Sequence, residues 1–154
     1  MKKIASFTVD HRYITPGLYI SRIDGDISTY DLRFTKPNAG EYLDNVTMHS
    51  VEHMFATYVR NSSLADSIIY FGPMGCRTGF YLLVRTHDNA AVFDLVKDVL
   101  AQIVAHTGEM FGTTEIECGN YRELCVESAK VACKMYLDAL NAGDKNFDYP
   151  GGEA

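Results

Sequence analysis

Hydrophobic and polar positions alternate with a period of two over several short stretches of this chain. Residues 18–23 and 27–34 flank Asp24-Gly25, and in the second arm Tyr30, Leu32 and Phe34 alternate with Thr29, Asp31 and Arg33. An Asp-Gly pair between such runs predicts a hairpin with one face packed inward and the other carrying polar groups. Residues 67–71 and 79–85, rich in Ile, Tyr, Leu and Val, predict two further strands around the loop Gly72-Pro73-Met74-Gly75-Cys76-Arg77-Thr78. A looser alternation over residues 4–9, before Asp10-His11 and the turn at Pro16-Gly17, predicts an N-terminal strand. Residues 113–117 predict a short strand ending at Cys118-Gly119-Asn120.

Elsewhere the period is that of a helix. Val51, Met54, Phe55, Tyr58 and Val59 form one apolar stripe, with Asp44 or Asn45 as a cap and Asn61 as a polar exit. Asp88 caps a second helix on Val92, Phe93, Val96, Val99, Leu100, Ile103 and Val104, with Gly108 as a stop. A third runs from about 122 to 141, before Gly143, and residues 144–154, with Pro150-Gly151-Gly152, read as a loose tail. Close hairpin connections favour an antiparallel sheet covered by about three main helices, an α+β fold in a single domain over 1–154.

The totals fit that picture and remove other classes. With 154 residues, 47% hydrophobic and 22% charged, the chain can build one real core. A net charge of -6, with basic residues scattered, argues against a nucleic-acid partner. Met1-Lys2-Lys3 is followed by polar residues rather than a signal-peptide core, and no run reaches membrane-span length, so a cytoplasmic protein with no membrane partner is expected.

Chemistry concentrates on the first helix. His49 and His53 stand at i and i+4, so both imidazoles project to one side and could share a cation. Glu52, beside them, is a carboxylate able to move protons for a metal-bound species. The order His-x-x-Glu-His reverses that of the zincins and occurs in inverted zinc peptidases. A bland alternative is three polar residues on a half-exposed face. A catalytic metal needs a third donor, and Cys118 on its Cys-Gly-Asn turn suits by type and context. Its alternative is a buried free thiol, the reading given to Cys125 and Cys133 within the last helix. Cys76 sits in a loop beside Arg77, a setting that favours the thiolate as nucleophile or base.

Five blocks of residues occur in order: Ser6-Phe7 with Asp10-His11, Asp31-Leu32-Arg33-Phe34, His49-Ser50-Val51-Glu52-His53, the run from Gly72 to Tyr81, and Glu117-Cys118-Gly119-Asn120-Tyr121. Together they resemble the S-ribosylhomocysteine lyase family over residues 5 to 140. The resemblance implies an α+β homodimer with one divalent metal per subunit, Fe(II) with Zn or Co able to substitute, held by His49, His53 and Cys118. It also implies that Cys76 and Glu52 are the acid/base pair and that Ser6, His11 and Arg33 lie near the substrate. The reaction implied is cleavage of S-ribosylhomocysteine to homocysteine and 4,5-dihydroxy-2,3-pentanedione, the autoinducer-2 precursor of quorum sensing, by carbonyl migration and β-elimination. The chain departs from the family at Tyr70, where many members carry Asp.

Two other readings compete. An inverted-motif zinc metallopeptidase would use His49, His53 and Glu52 with Glu123 or Glu127 as an acidic third ligand, but leaves Cys76 and Cys118 without roles. A non-enzymatic module would close a structural metal site with a fourth ligand.

Overall fold

The hairpin sets the sheet. The computed structural model describes residues 1–151. Strands β1 (Gly17–Asp24) and β2 (Ile27–Arg33) pair antiparallel, Tyr19 opposite Asp31 and Asp24 opposite Ile27. Gly25, at φ +59°, takes the first place of the two-residue turn, a conformation that costs glycine no Cβ clash. Strands β3 (Ile68–Pro73) and β4 (Gly79–Val84) complete a four-stranded antiparallel sheet in the order β1-β2-β4-β3.

The period-two pattern separates two faces. Leu18, Tyr30, Leu32, Phe71, Phe80, Leu82 and Val84 are buried in the core under the helices. Tyr19, Asp31 and Tyr81 stand abreast on the other face, because Asp31 pairs with both tyrosines. Gly79 opposes Arg33, and a Cβ there would run into the Leu32 carbonyl, so glycine permits the close approach of β2 to β4.

Three helices cover the inner face. Helix α1 (Asn45–Val59) starts where the Asp44 carboxylate accepts from the Thr47 N–H at 2.7 Å, and buries Val51, Met54, Phe55 and Val59. Each such side chain, fully withdrawn from water, stabilises the fold by about 1.5–3 kcal/mol. Helix α2 (Asn89–Val104), capped by Asp88, and α3 (Val126–Ala142) pack on α1 and on each other.

Four local expectations fail for physical reasons. Residues 5–7 form one 3-10 turn rather than a strand, since Ile4 and Phe7 are 56% and 71% exposed and the alternation buries no face. Residues 113–117 form no strand: the Glu117 and Cys118 N–H groups both return to the Thr114 carbonyl, and the Glu117 carboxylate accepts from Thr114, so side chain and backbone close a local turn. Helix α3 begins at Val126 rather than near residue 122, its N-cap being Cys125, whose sulfur accepts from the Ser128 N–H. Cys125 is therefore a half-buried cap with a thiol pKa lowered by those hydrogen bonds, not the buried thiol expected; Cys133 is fully buried, and burial pushes its pKa up.

The fourth concerns the stretch beyond α3. Up to residue 151 it is tied down: the Phe147 carbonyl accepts from the Ile20 N–H at 2.8 Å, Phe147 packs near Phe93, and Tyr149 stacks on Tyr19. It clamps the edge of β1 from both faces. Residues 152–154 of the expected tail lie outside the described residues.

Candidate metal centre and active site

Helix periodicity brings His49 and His53 to one side of α1, their ring centroids 4.5 Å apart. Each ring is held through Nδ1, which faces a main-chain carbonyl: Glu123 at 2.9 Å for His49 and Phe111 at 2.8 Å for His53. A carbonyl only accepts, so each Nδ1 carries the proton and each Nε2 keeps a free lone pair. Cys118 completes the group, its sulfur 3.4 Å from His49 Nε2 and accepting from the Asn120 N–H.

The three donors can be chosen so that all ligand atoms lie within 4.8 Å of one another, and among the described residues no fourth His, Cys, Asp or Glu joins them. Oriented imidazoles and a thiolate supplied with an N–H donor fit a divalent cation of zinc or iron type, with a coordination position left open. The acidic third ligand of the peptidase reading is not part of the cluster: Glu123 enters through its main-chain carbonyl, and Glu127 lies in the first turn of α3. No fourth protein donor closes the site either, which removes the basis of a sealed structural metal.

Ser50 explains why these loops lie where they do. Its hydroxyl donates to the Val46 carbonyl and accepts from the Cys125 N–H at 2.8 Å, stapling the segment after Cys118 to α1 beside His49.

Beside the cluster a cavity of about 300 Å³ is walled by Met48, His49 and Glu52 of α1 on one side and by Gly75 and Arg77 on the other. Glu52 thus faces the loop that carries Cys76. That loop is tightly closed, Met74 N–H to Gly79 carbonyl and Arg77 N–H to Met74 carbonyl, with Arg77 at φ +62°, a left-handed conformation rare for a side chain of this kind. Arg77 does not neighbour the thiol as its place in sequence suggested: its guanidinium reaches the Leu43 carbonyl and lies over Tyr42.

A different cation serves Cys76. The exposed Cys76 sulfur is 3.0 Å from Thr78 Oγ1, which accepts from Arg33 Nη1 at 2.9 Å, leaving the threonine hydroxyl hydrogen free for the sulfur. Arg33 is 2% exposed and paired with the fully buried Asp31, which also accepts from the Tyr149 hydroxyl at 2.7 Å. Burial alone would lower the Arg33 pKa, but Asp31 and, more weakly, Cys76 more than reverse this and raise it. Tyr149 has its pKa raised by burial and by Asp31, so it stays a neutral donor. Asp31, Thr78 and Tyr149 went unnoticed in sequence, although the alternation that put Asp31 and Arg33 on one strand face was visible.

Ser6 and His11 do not line this cavity. Ser6 borders another, of about 490 Å³, on the outer sheet face with Thr29, Tyr70 and Tyr81. His11 is half-buried, its Nδ1–H donating to the Val9 carbonyl at 2.9 Å. Tyr70 is 53% exposed and lies along Gly72, whose missing Cβ makes room for the ring.

Fold and donor set together define a class, a single-domain α+β protein with a His, His, Cys centre suited to one divalent cation. Comparison with known sequences is more specific. The chain belongs to the S-ribosylhomocysteinase (LuxS) family, whose profile matches residues 4–147. It is 40% identical to an S-ribosylhomocysteine lyase of Borreliella afzelii, covering 97% of this chain and 100% of that protein. Enzymes of the same name from Desulfotalea psychrophila and Finegoldia magna are 40% and 41% identical, each with 97% of this chain and 99% of the relative covered. No helix among the described residues is long and apolar enough to cross a membrane.

Proposed function

We propose that this chain is a carbon-sulfur lyase that cleaves S-ribosylhomocysteine to homocysteine and 4,5-dihydroxy-2,3-pentanedione. The observation that carries the reading is the convergence of three oriented donors, open on one side, with a carboxylate that faces the loop of a reactive thiol. His49, His53 and Cys118 hold one divalent cation, Fe(II) being the cellular metal that the family resemblance implies and Zn or Co its substitutes.

The chemistry follows from the position of the sulfur. Homocysteine leaves C5 of the ribose by β-elimination only when a carbonyl stands at C3, making the C4 proton acidic. The open-chain sugar carries its carbonyl at C1, so the carbonyl must first move twice by one carbon. Each move takes a proton from one carbon and returns one to its neighbour. The bound cation supplies Lewis acidity toward the sugar oxygens. Cys76 and Glu52 carry the protons: the thiolate, steadied by the Thr78 hydroxyl, and the Glu52 carboxylate attend opposite sides of the substrate. In the last step the C4–H bond breaks, a C3–C4 double bond forms, and the C5–S electron pair leaves as homocysteine thiolate, which then takes up a proton.

We further infer a cytoplasmic homodimer in which Ser6 and His11 serve the neighbouring chain's cavity, since within one chain they lie apart from it. An inactive His11→Ala dimer mixed with an inactive His53→Ala dimer should, after random exchange, regain about a quarter of normal sites. Exchange without recovery excludes a shared site through His11. The reaction itself is tested by incubating the protein with S-ribosylhomocysteine and titrating free thiol. Stoichiometric homocysteine release supports the reading, and a metal-loaded protein that releases none refutes it.

A further inference from the structure

Residues 105–112 contribute no metal donor, yet they supply the carbonyl that orients one. His106, 9% exposed, stands at the base of this segment with both ring nitrogens engaged. Nε2–H donates to the Glu109 carbonyl at 2.9 Å, and Nδ1 accepts from the Tyr58 hydroxyl at 2.7 Å. Its own carbonyl accepts from Lys130 Nζ of α3 at 2.8 Å. The Phe111 ring then packs edge-on against both partners, 5.2 Å from His106 and 5.6 Å from Tyr58 between ring centroids. The carbonyl of that phenylalanine holds His53.

These contacts close a ring that begins and ends on α1. Tyr58 lies on the helix that carries His53, reaches His106, and the loop returns through Phe111 to His53 Nδ1. Gly112 finishes the approach at φ +68°, where an added Cβ would stand 3.1 Å from His53 Nδ1. The His53 ring is therefore set by the loop's shape, and that shape by a histidine fixed at both nitrogens.

We propose that His106 is a positioning residue for the metal centre: clamped between Tyr58 and the Glu109 carbonyl, it fixes the loop whose Phe111 carbonyl keeps the His53 Nε2 lone pair aimed at the cation. The inference rests on the reading of His53 as a metal donor. Outer contacts that orient a liganding imidazole typically govern metal affinity by 10–100-fold.

The test uses the cobalt-loaded protein and reads metal release to a chelator and the visible absorption of the cobalt-thiolate centre. His106→Leu should release cobalt about 10–100-fold faster and shift the absorption bands. His106→Gln, whose amide can donate to Glu109 and accept from Tyr58, should restore much of both. Tyr58→Phe gives a smaller change in the same direction, and Gly112→Ala, acting directly on His53, a larger one. If His106→Leu does not fold, Tyr58→Phe and Gly112→Ala carry the test. Unchanged release and spectrum in the folded variants, with only the metal-free unfolding midpoint lowered, would show a merely structural histidine and overturn the proposal. Cobalt binding that survives His53→Ala intact would overturn the metal reading and this inference with it.

Discussion

The metal donors and the loop thiol are held by contacts of different kinds. His49 and His53 rest on main-chain carbonyls of two separate loops, and Cys118 on a main-chain N–H. Cys76 rests on side chains, Thr78 backed by Arg33, Asp31 and Tyr149. Main-chain contacts survive substitution of the residue that makes them, provided the loop keeps its path, so the metal wall depends on loop shape. The thiol wall depends on residue identity, and because its ion pair is buried, loss of one partner alone typically costs about 3–5 kcal/mol. The two halves should therefore separate under mutation.

The largest effect falls on the metal wall. His53→Ala or Cys118→Ala should reduce bound metal to background and lyase turnover by more than the roughly 100-fold upper range seen for outer contacts. Metal analysis beside homocysteine release checks this, and full metal content in Cys118→Ala removes that donor from the site. On the thiol wall, Thr78→Val keeps the shape and deletes the hydroxyl. One hydrogen bond to a charged group is worth about 1.5–3 kcal/mol, so alkylation of Cys76, followed on its own peptide, should slow by roughly ten-fold or more with metal content unchanged. An unaltered alkylation rate would mean that Thr78 only packs.

The smallest effect lies under the metal helix. Hydrogen bonds from Thr47 lower the Asp44 pKa, so its capping contribution is complete above the unfolded value and fades as pH falls through the lower folded value. Asp44→Ala should cost about 1 kcal/mol near neutral pH and less at more acidic pH, read by denaturant unfolding at both. A loss independent of pH would assign the effect to helix propensity instead.

Legibility in the sequence follows the same division. The hairpin, the strands flanking the Cys76 loop, and α1 and α2 could be read because apolar periodicity and Asp caps are local signals. The histidine pair followed from helical spacing, and Cys118 from its turn. Residues 4–9 and 113–117 misled because alternation alone says nothing of a ladder partner. The Glu123 and Phe111 carbonyls could not be read at all, since every residue has one. Arg33 drew attention as a substrate contact, but its distance from Cys76 in sequence hid the chain through Thr78, and credit for the thiol went to its neighbour Arg77. The segment after Gly143 looked loose because Pro and Gly dominate its end, whereas Phe147 and Tyr149 anchor it.

The central claim is that one cysteine holds the metal and the other moves protons. The most direct measurement is metal content and homocysteine release on one preparation of Cys76→Ala. The account predicts one cation per chain, as in the unmodified protein, with turnover lowered roughly 100- to 10,000-fold, the range of a lost acid/base group. Loss of the metal from Cys76→Ala, or near-normal homocysteine release with the metal in place, would contradict it.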